Sequence, residues 1–160
     1  MTQHEFIQFL TDLPEEQMKA ELTKAFTERY GAGTEEIMMI ASPARINIIG
    51  EHIDYNGGKV FPAAIDRYLY VLLRKRPDTK IIYDDIRFPG ALEFSSTETF
   101  CYRRENQYAN YLNGMLAMLQ KGGYKLTSGF EVLCFSKLPA GGGISSSAAL
   151  EVGFGRAVAE

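Results

Sequence analysis

The residues best able to do chemistry lie in two stretches. The later one, Gly141-Gly142-Gly143-Ile144-Ser145-Ser146-Ser147-Ala148-Ala149, sets a run of glycines before a run of serines. Glycines let the backbone turn its N–H groups inward and admit phosphate oxygens with no Cβ in the way. A helix start behind them adds partial positive charge, and serine hydroxyls add donors or a metal-ligating oxygen. Such a segment is an anion cradle. It is not a Walker A loop, since no Gly-Lys-Ser/Thr follows the glycines, and it lacks the last glycine of a dinucleotide fingerprint. Its plain alternative is a flexible turn with serine helix caps.

The earlier stretch runs Ala44-Arg45-Ile46-Asn47-Ile48-Ile49-Gly50-Glu51-His52-Ile53-Asp54-Tyr55-Asn56-Gly57-Gly58. An apolar strand opens at Gly50 directly into Glu51, His52 and Asp54, a dense set of hydrogen-bonding groups. A polyhydroxylated ligand asks for that set, because carboxylates pair with hydroxyls and imidazole can donate or accept. Arg45 keeps its charge at any pH and suits a phosphate or the developing alkoxide of an attacking hydroxyl. The competing reading is a solvated turn with Arg45 in a surface ion pair. His52 with Asp54 also hints at a metal site, but lacks a third ligand.

The elements that must position these residues follow from periodicity. Met18, Leu22, Phe26 and Tyr30 predict a helix over 14–30, stopped by Gly31 and Gly33. Short β-branched and aromatic runs predict strands at 37–40, 46–49, 68–73, 80–83 and 130–135. Tyr108, Tyr111, Leu112, Met115, Met118 and Leu119 predict a helix over 106–120, and residues 145–159 have helical composition. The order implies an α+β domain with a sheet covered by helices. The chain ends inside that last helical pattern, which is expected of the front part of something longer.

Composition narrows the function classes. Seventeen basic against 20 acidic residues give a net charge of −3, which offers no general attraction to nucleic acid or anionic lipid. No apolar run is long enough to span a bilayer, and the N-terminus carries no secretory leader, so a cytoplasmic protein is expected. Cys101 and Cys134 are too far apart for a metal knuckle or redox pair and are expected as buried thiols.

Together the two stretches resemble one family. Residues 45–56 resemble the galactokinase signature, and residues 138–151 look like the phosphate loop of the wider GHMP kinase superfamily. Tyr108-Ala109-Asn110-Tyr111 is also similar to a galactokinase pattern. The resemblance implies a GHMP kinase N-terminal domain related to the second domain of ribosomal protein S5, a mixed sheet covered by helices and incomplete at its C-terminus. Residues 1–160 would then be the N-terminal part, with a C-terminal domain absent from this chain. The resemblance implies transfer of the γ-phosphoryl group of Mg-ATP, with its Mg²⁺, to the anomeric hydroxyl of α-D-galactose. Carried over by position, Arg45 is catalytic and Glu51, His52, Ile53 and Asp54 bind the sugar. Gly141, Gly142, Gly143, Ile144, Ser145, Ser146 and Ser147 wrap the ATP phosphates, with the Ser147 hydroxyl on the metal.

Ala44 and Ile53 depart from the family's usual glycine and threonine. Ile53 also occurs in the N-acetylgalactosamine kinase branch, which keeps that sugar open. A non-catalytic galactose and ATP sensor would keep both motifs, although the full Ser145-Ser146-Ser147 run favours the enzyme. A truncated product that never folds stably is a third reading, because half a bilobal fold leaves apolar surface uncovered. The family's catalytic aspartate would lie beyond Glu160, and neither Asp84 nor Asp85 is an obvious replacement. The purified 160-residue chain is therefore expected to show no useful turnover; robust ATP-dependent phosphorylation of galactose by it would contradict this.

Overall fold

Strand pairing in the computed structural model, which describes residues 1–138 and 144–160, builds one mixed sheet between two layers of helix. The order along the chain is α1 (Gln3–Asp12), α2 (Glu15–Tyr30), β1 (Met38–Ile49), β2 (Phe61–Lys75), β3 (Lys80–Asp85), β4 (Leu92–Ser95), α3 (Ala109–Lys121), β5 (Phe130–Ser136) and α4 (Ser146–Ala159). The five strands lie in the order β1-β2-β5-β3-β4. All neighbours are antiparallel except β3 and β5, whose parallel pairing is reached through β4 and α3.

The side-chain period of two in β2 and β5 decides the layers. Leu69, Val71, Leu73, Val132 and Cys134 face one core with Leu112 and Leu116 of α3 and Leu150, Phe154 and Ala157 of α4. Tyr70, Leu72, Leu133 and Phe135 face the other, against Leu10 of α1 and Met18, Leu22 and Phe26 of α2. Both faces being covered explains why these strands read as near-continuous apolar runs. The Leu, Val, Phe and Met side chains among them contribute about 1.5–3 kcal/mol each on burial.

Several elements differ from the sequence expectation. The stretches at 37–40 and 46–49 are one strand, β1, continuous through Pro43. Proline lacks an N–H, but β1 is an edge strand and tolerates it. The register slips next to it, with Pro43 opposite Tyr68 but Arg45 opposite Ala64. Helix α1 was not anticipated, although Thr2 and Glu5 form a capping box that announces it. The short strand β4 was not anticipated either. α3 starts at Ala109, not at residue 106, because Arg104–Asn106 is a 3-10 turn and Gln107 follows at φ 43°. The two thiols part company. Cys134 is buried in β5, where burial pushes its thiol pKa up, whereas Cys101 is exposed in the connection between β4 and α3. Cys101 lies outside every strand and helix.

One charged cluster ties α2 to the sheet. Arg74 and Glu131 sit opposite one another on β2 and β5, 6% and 3% exposed. Arg74 Nε and Nη2 donate to Glu131 Oε2 at 3.0 and 2.7 Å, and Nη1 and Nη2 donate to the Gly31 and Tyr30 carbonyls at the end of α2. Arg76 reaches the other carboxylate oxygen. Removing one partner strands the other charge in low dielectric. Glu131→Ala is expected to lower the unfolding free energy by about 3–5 kcal/mol, measured by urea denaturation; a loss within experimental error would contradict this role.

Candidate active site

The two chemistry-bearing stretches meet at the outer edge of β1. The Arg45 N–H donates to the Ile144 carbonyl at 3.3 Å, so the serine segment lies against the edge strand. α4 holds this in place by crossing β1 closely at Gly153, where an added Cβ would fall 2.9 Å from Ser42 Cβ. Gly141, Gly142 and Gly143 lie outside the described residues. Ile144, Ser145, Ser146 and Ser147 are half-buried, and Ser145 is the residue before the first turn of α4.

Serine capping is not what Ser145 does. It adopts φ 57° and ψ 44°, and its side chain makes no hydrogen bond to the helix start. A non-glycine residue in the left-handed region costs about 1–2 kcal/mol, and such strain gathers at functional sites. Among the described residues the other two left-handed non-glycine residues are His52 and Gln107. His52 belongs to the sugar-like turn, and Gln107 precedes Tyr108-Ala109-Asn110-Tyr111. That third motif is a clamp. Asn110 brackets Arg103, accepting from its N–H at 3.0 Å and donating to its carbonyl at 2.8 Å, while Tyr108 OH donates to the Tyr83 carbonyl.

The turn after β1 is closed on itself. Gly50 has φ 101°, and a Cβ there would fall 2.7 Å from the Lys59 carbonyl oxygen, so only glycine lets the two arms approach. Within the loop, Asp54–Asn56 form a 3-10 turn, and the Gly58 N–H donates to the Ile53 carbonyl at 2.8 Å. The Ile53 side chain lies against Gly58. Asn56 Nδ2 donates to the His52 carbonyl at 3.0 Å, and His52 Nδ1 lies 2.9 Å from Tyr55 OH. This internal bonding holds the turn in one shape before any ligand arrives.

The expected site residues fall in three states. Glu51, His52, Ile53, Asp54 and Arg45 are exposed. Among the described residues Arg45, Glu51 and Asp54 enter no ion pair, so the surface ion pair considered for Arg45 is not formed. Among the described residues no side-chain hydrogen bond or ion pair joins Arg45 to the 51–54 turn; its main chain pairs with β2 at Ala64 and bonds Ile144. No group of three His, Cys, Asp or Glu able to hold a metal occurs among the described residues, which leaves His52 with Asp54 short of a site. Sequence reasoning passed over Asn47, whose Oδ1 is buried with no hydrogen-bond partner among the described residues, and Tyr55, whose hydroxyl is committed to His52. Around them Ile48, Ile49 and Phe61 are 57%, 70% and 61% exposed, Ile49 and Phe61 standing opposite one another on β1 and β2.

No helix among the described residues is long and apolar enough to cross a membrane. The galactokinase galactose-binding signature matches residues 24–75, and the GHMP kinases N-terminal domain matches residues 110–160. The galactokinase of Clostridium beijerinckii is 40% identical over 133 residues, 82% of this chain but 33% of that protein. The crystal structure of Lactococcus lactis galactokinase complexed with galactose superposes with a TM-score of 0.81 at 40% identity, covering 88% of this chain and 36% of that one. Methanococcus jannaschii mevalonate kinase shares the fold at a TM-score of 0.64 and 22% identity, over 79% of this chain and 40% of that one. The chain thus spans about a third of the length of the curated relatives it matches. With both motifs in contact on the mixed sheet and both signatures matched, the chain belongs to the galactokinase family of GHMP kinases.

Proposed function

We propose that the protein supplies the sugar and phosphate grips of a galactokinase, which phosphorylates α-D-galactose at its anomeric hydroxyl with Mg-ATP. The observation that carries this reading is the hydrogen bond from Arg45 N–H to the Ile144 carbonyl, which brings the sugar-signature strand against the serine segment. In this assignment Glu51, His52 and Asp54 hold galactose hydroxyls, and the exposed Ile53 lines the sugar beside them. Arg45, charged and without an ion-pair partner among the described residues, stabilises charge on the attacking oxygen and the transferring group. ATP supplies the phosphoryl group.

Gly141, Gly142, Gly143, Ile144, Ser145, Ser146 and Ser147 wrap its phosphates, and the uncapped start of α4 adds partial positive charge toward them. A magnesium ion fits one protein oxygen, the Ser147 hydroxyl, with the rest of its shell from phosphates and water. There it would neutralise developing charge. Phosphoryl transfer depends on positioning and electrostatics, which a turn closed on itself and a strained serine segment are suited to provide. The reading places the protein in the cytoplasm, where its nucleotide is. The exposed Ile48, Ile49 and Phe61 suit a surface that the further length of the relatives would cover.

N-acetylgalactosamine is the weaker alternative substrate. The galactose-binding signature that matches residues 24–75 favours galactose, although Ile53, the residue that raised the alternative, is exposed beside Gly58. A purely regulatory role is disfavoured by the complete Ser145-Ser146-Ser147 run.

Calorimetric titration is expected to show separate binding of galactose and ATP, and the absence of any galactose binding would overturn the reading. In a chain of the relatives' full length, Arg45→Ala is expected to lower kcat by about 10²–10³ with little change in galactose affinity. Asp54→Ala is expected to weaken galactose binding by about 10–100-fold and leave ATP binding unchanged; equal losses for both ligands would contradict these roles.

A further inference from the structure

His52 is held more tightly than a solvated turn requires. Its backbone sits at φ 60°, a left-handed conformation that costs a non-glycine residue about 1–2 kcal/mol. Asn56 Nδ2 bonds its carbonyl at 3.0 Å, and Tyr55 OH meets its ring at Nδ1, 2.9 Å away. The two rings stand edge to face with centroids 6.1 Å apart. Tyr55 is 72% exposed, so its hydroxyl adds nothing to a core. What that hydroxyl does is engage one nitrogen of one imidazole.

The direction of this bond follows from proton affinities. Neutral imidazole has one accepting and one donating nitrogen, and a phenol is a far weaker base than imidazole. The phenol O–H therefore donates to Nδ1, and the ring proton is left on Nε2. An Nε2–H faces outward as a donor and matches an acceptor oxygen of a hydroxyl; the other tautomer would present a lone pair.

We propose that Tyr55 is a positioning residue that fixes the ring orientation and tautomer of His52, so that Nε2–H is offered to a sugar oxygen. The last clause rests on the hexose reading of residues 51–54, while the tautomer itself does not.

His4 is the other histidine of this sequence, so a His4→Gln background leaves His52 alone to be read. Long-range proton–nitrogen correlation spectra at pH 8 are expected to show the Nε2–H tautomer in that parent. Adding Tyr55→Phe keeps the aromatic ring and should give averaged nitrogen shifts, with galactose affinity weakened about three- to tenfold and ATP affinity unchanged. An Nδ1–H tautomer in the parent, or nitrogen shifts unmoved by Tyr55→Phe, would overturn the proposal. If the tautomer responds as expected but the parent binds no galactose, the hexose reading fails and the ring-setting role of Tyr55 stands.

Discussion

A main-chain hydrogen bond from an edge strand, Arg45 N–H to the Ile144 carbonyl, is the contact on which the site depends. Edge strands expose unpaired N–H and C=O groups that must be covered or satisfied. Here the segment leading into α4 takes one of them. One backbone bond is worth only about 0.5–1.5 kcal/mol net, so it does not hold the layers by itself. The packing of α4 through Leu150, Phe154 and Ala157 does that, and the close crossing at Gly153 and Ser42 sets how near the helix start comes to β1.

Strain and stability are divided between different parts of the molecule. The two cores and the buried Arg74–Glu131 pair carry stability in the middle of the sheet and at the end of α2. The left-handed residues His52, Gln107 and Ser145 lie in or beside the three motifs. A fold can retain such residues only when surrounding contacts over-determine them. For His52 those contacts are Asn56 and Tyr55; for Ser145 they are the start of α4 and the neighbouring Ile144, which accepts from Arg45 of β1.

Much of this was legible in the sequence because the signals are local. The i, i+4 spacing of Met18, Leu22 and Phe26 gave α2, and the β-branched runs gave four of the five strands. The motif residues were legible because glycine, serine and charged types are unusual together. Long-range geometry was less visible. Continuity of β1 through Pro43 depends on its being an edge strand, which no window of sequence shows. β4 is only four residues long, too short to display alternation. Exposure of Cys101 depends on what packs over a loop, and the left-handed state of His52 and Ser145 is invisible in residue types that usually avoid it. The capping box of Thr2 and Glu5 was present and would have revealed α1.

A crystal structure with galactose and a non-hydrolysable ATP analogue bound together is the most direct measurement. The account predicts the anomeric hydroxyl and the terminal phosphate facing each other between Arg45 and the Ser145–Ser147 segment, with the hexose on Glu51, His52 and Asp54. A sugar seated away from β1, or a nucleotide bound elsewhere than at the start of α4, would contradict it.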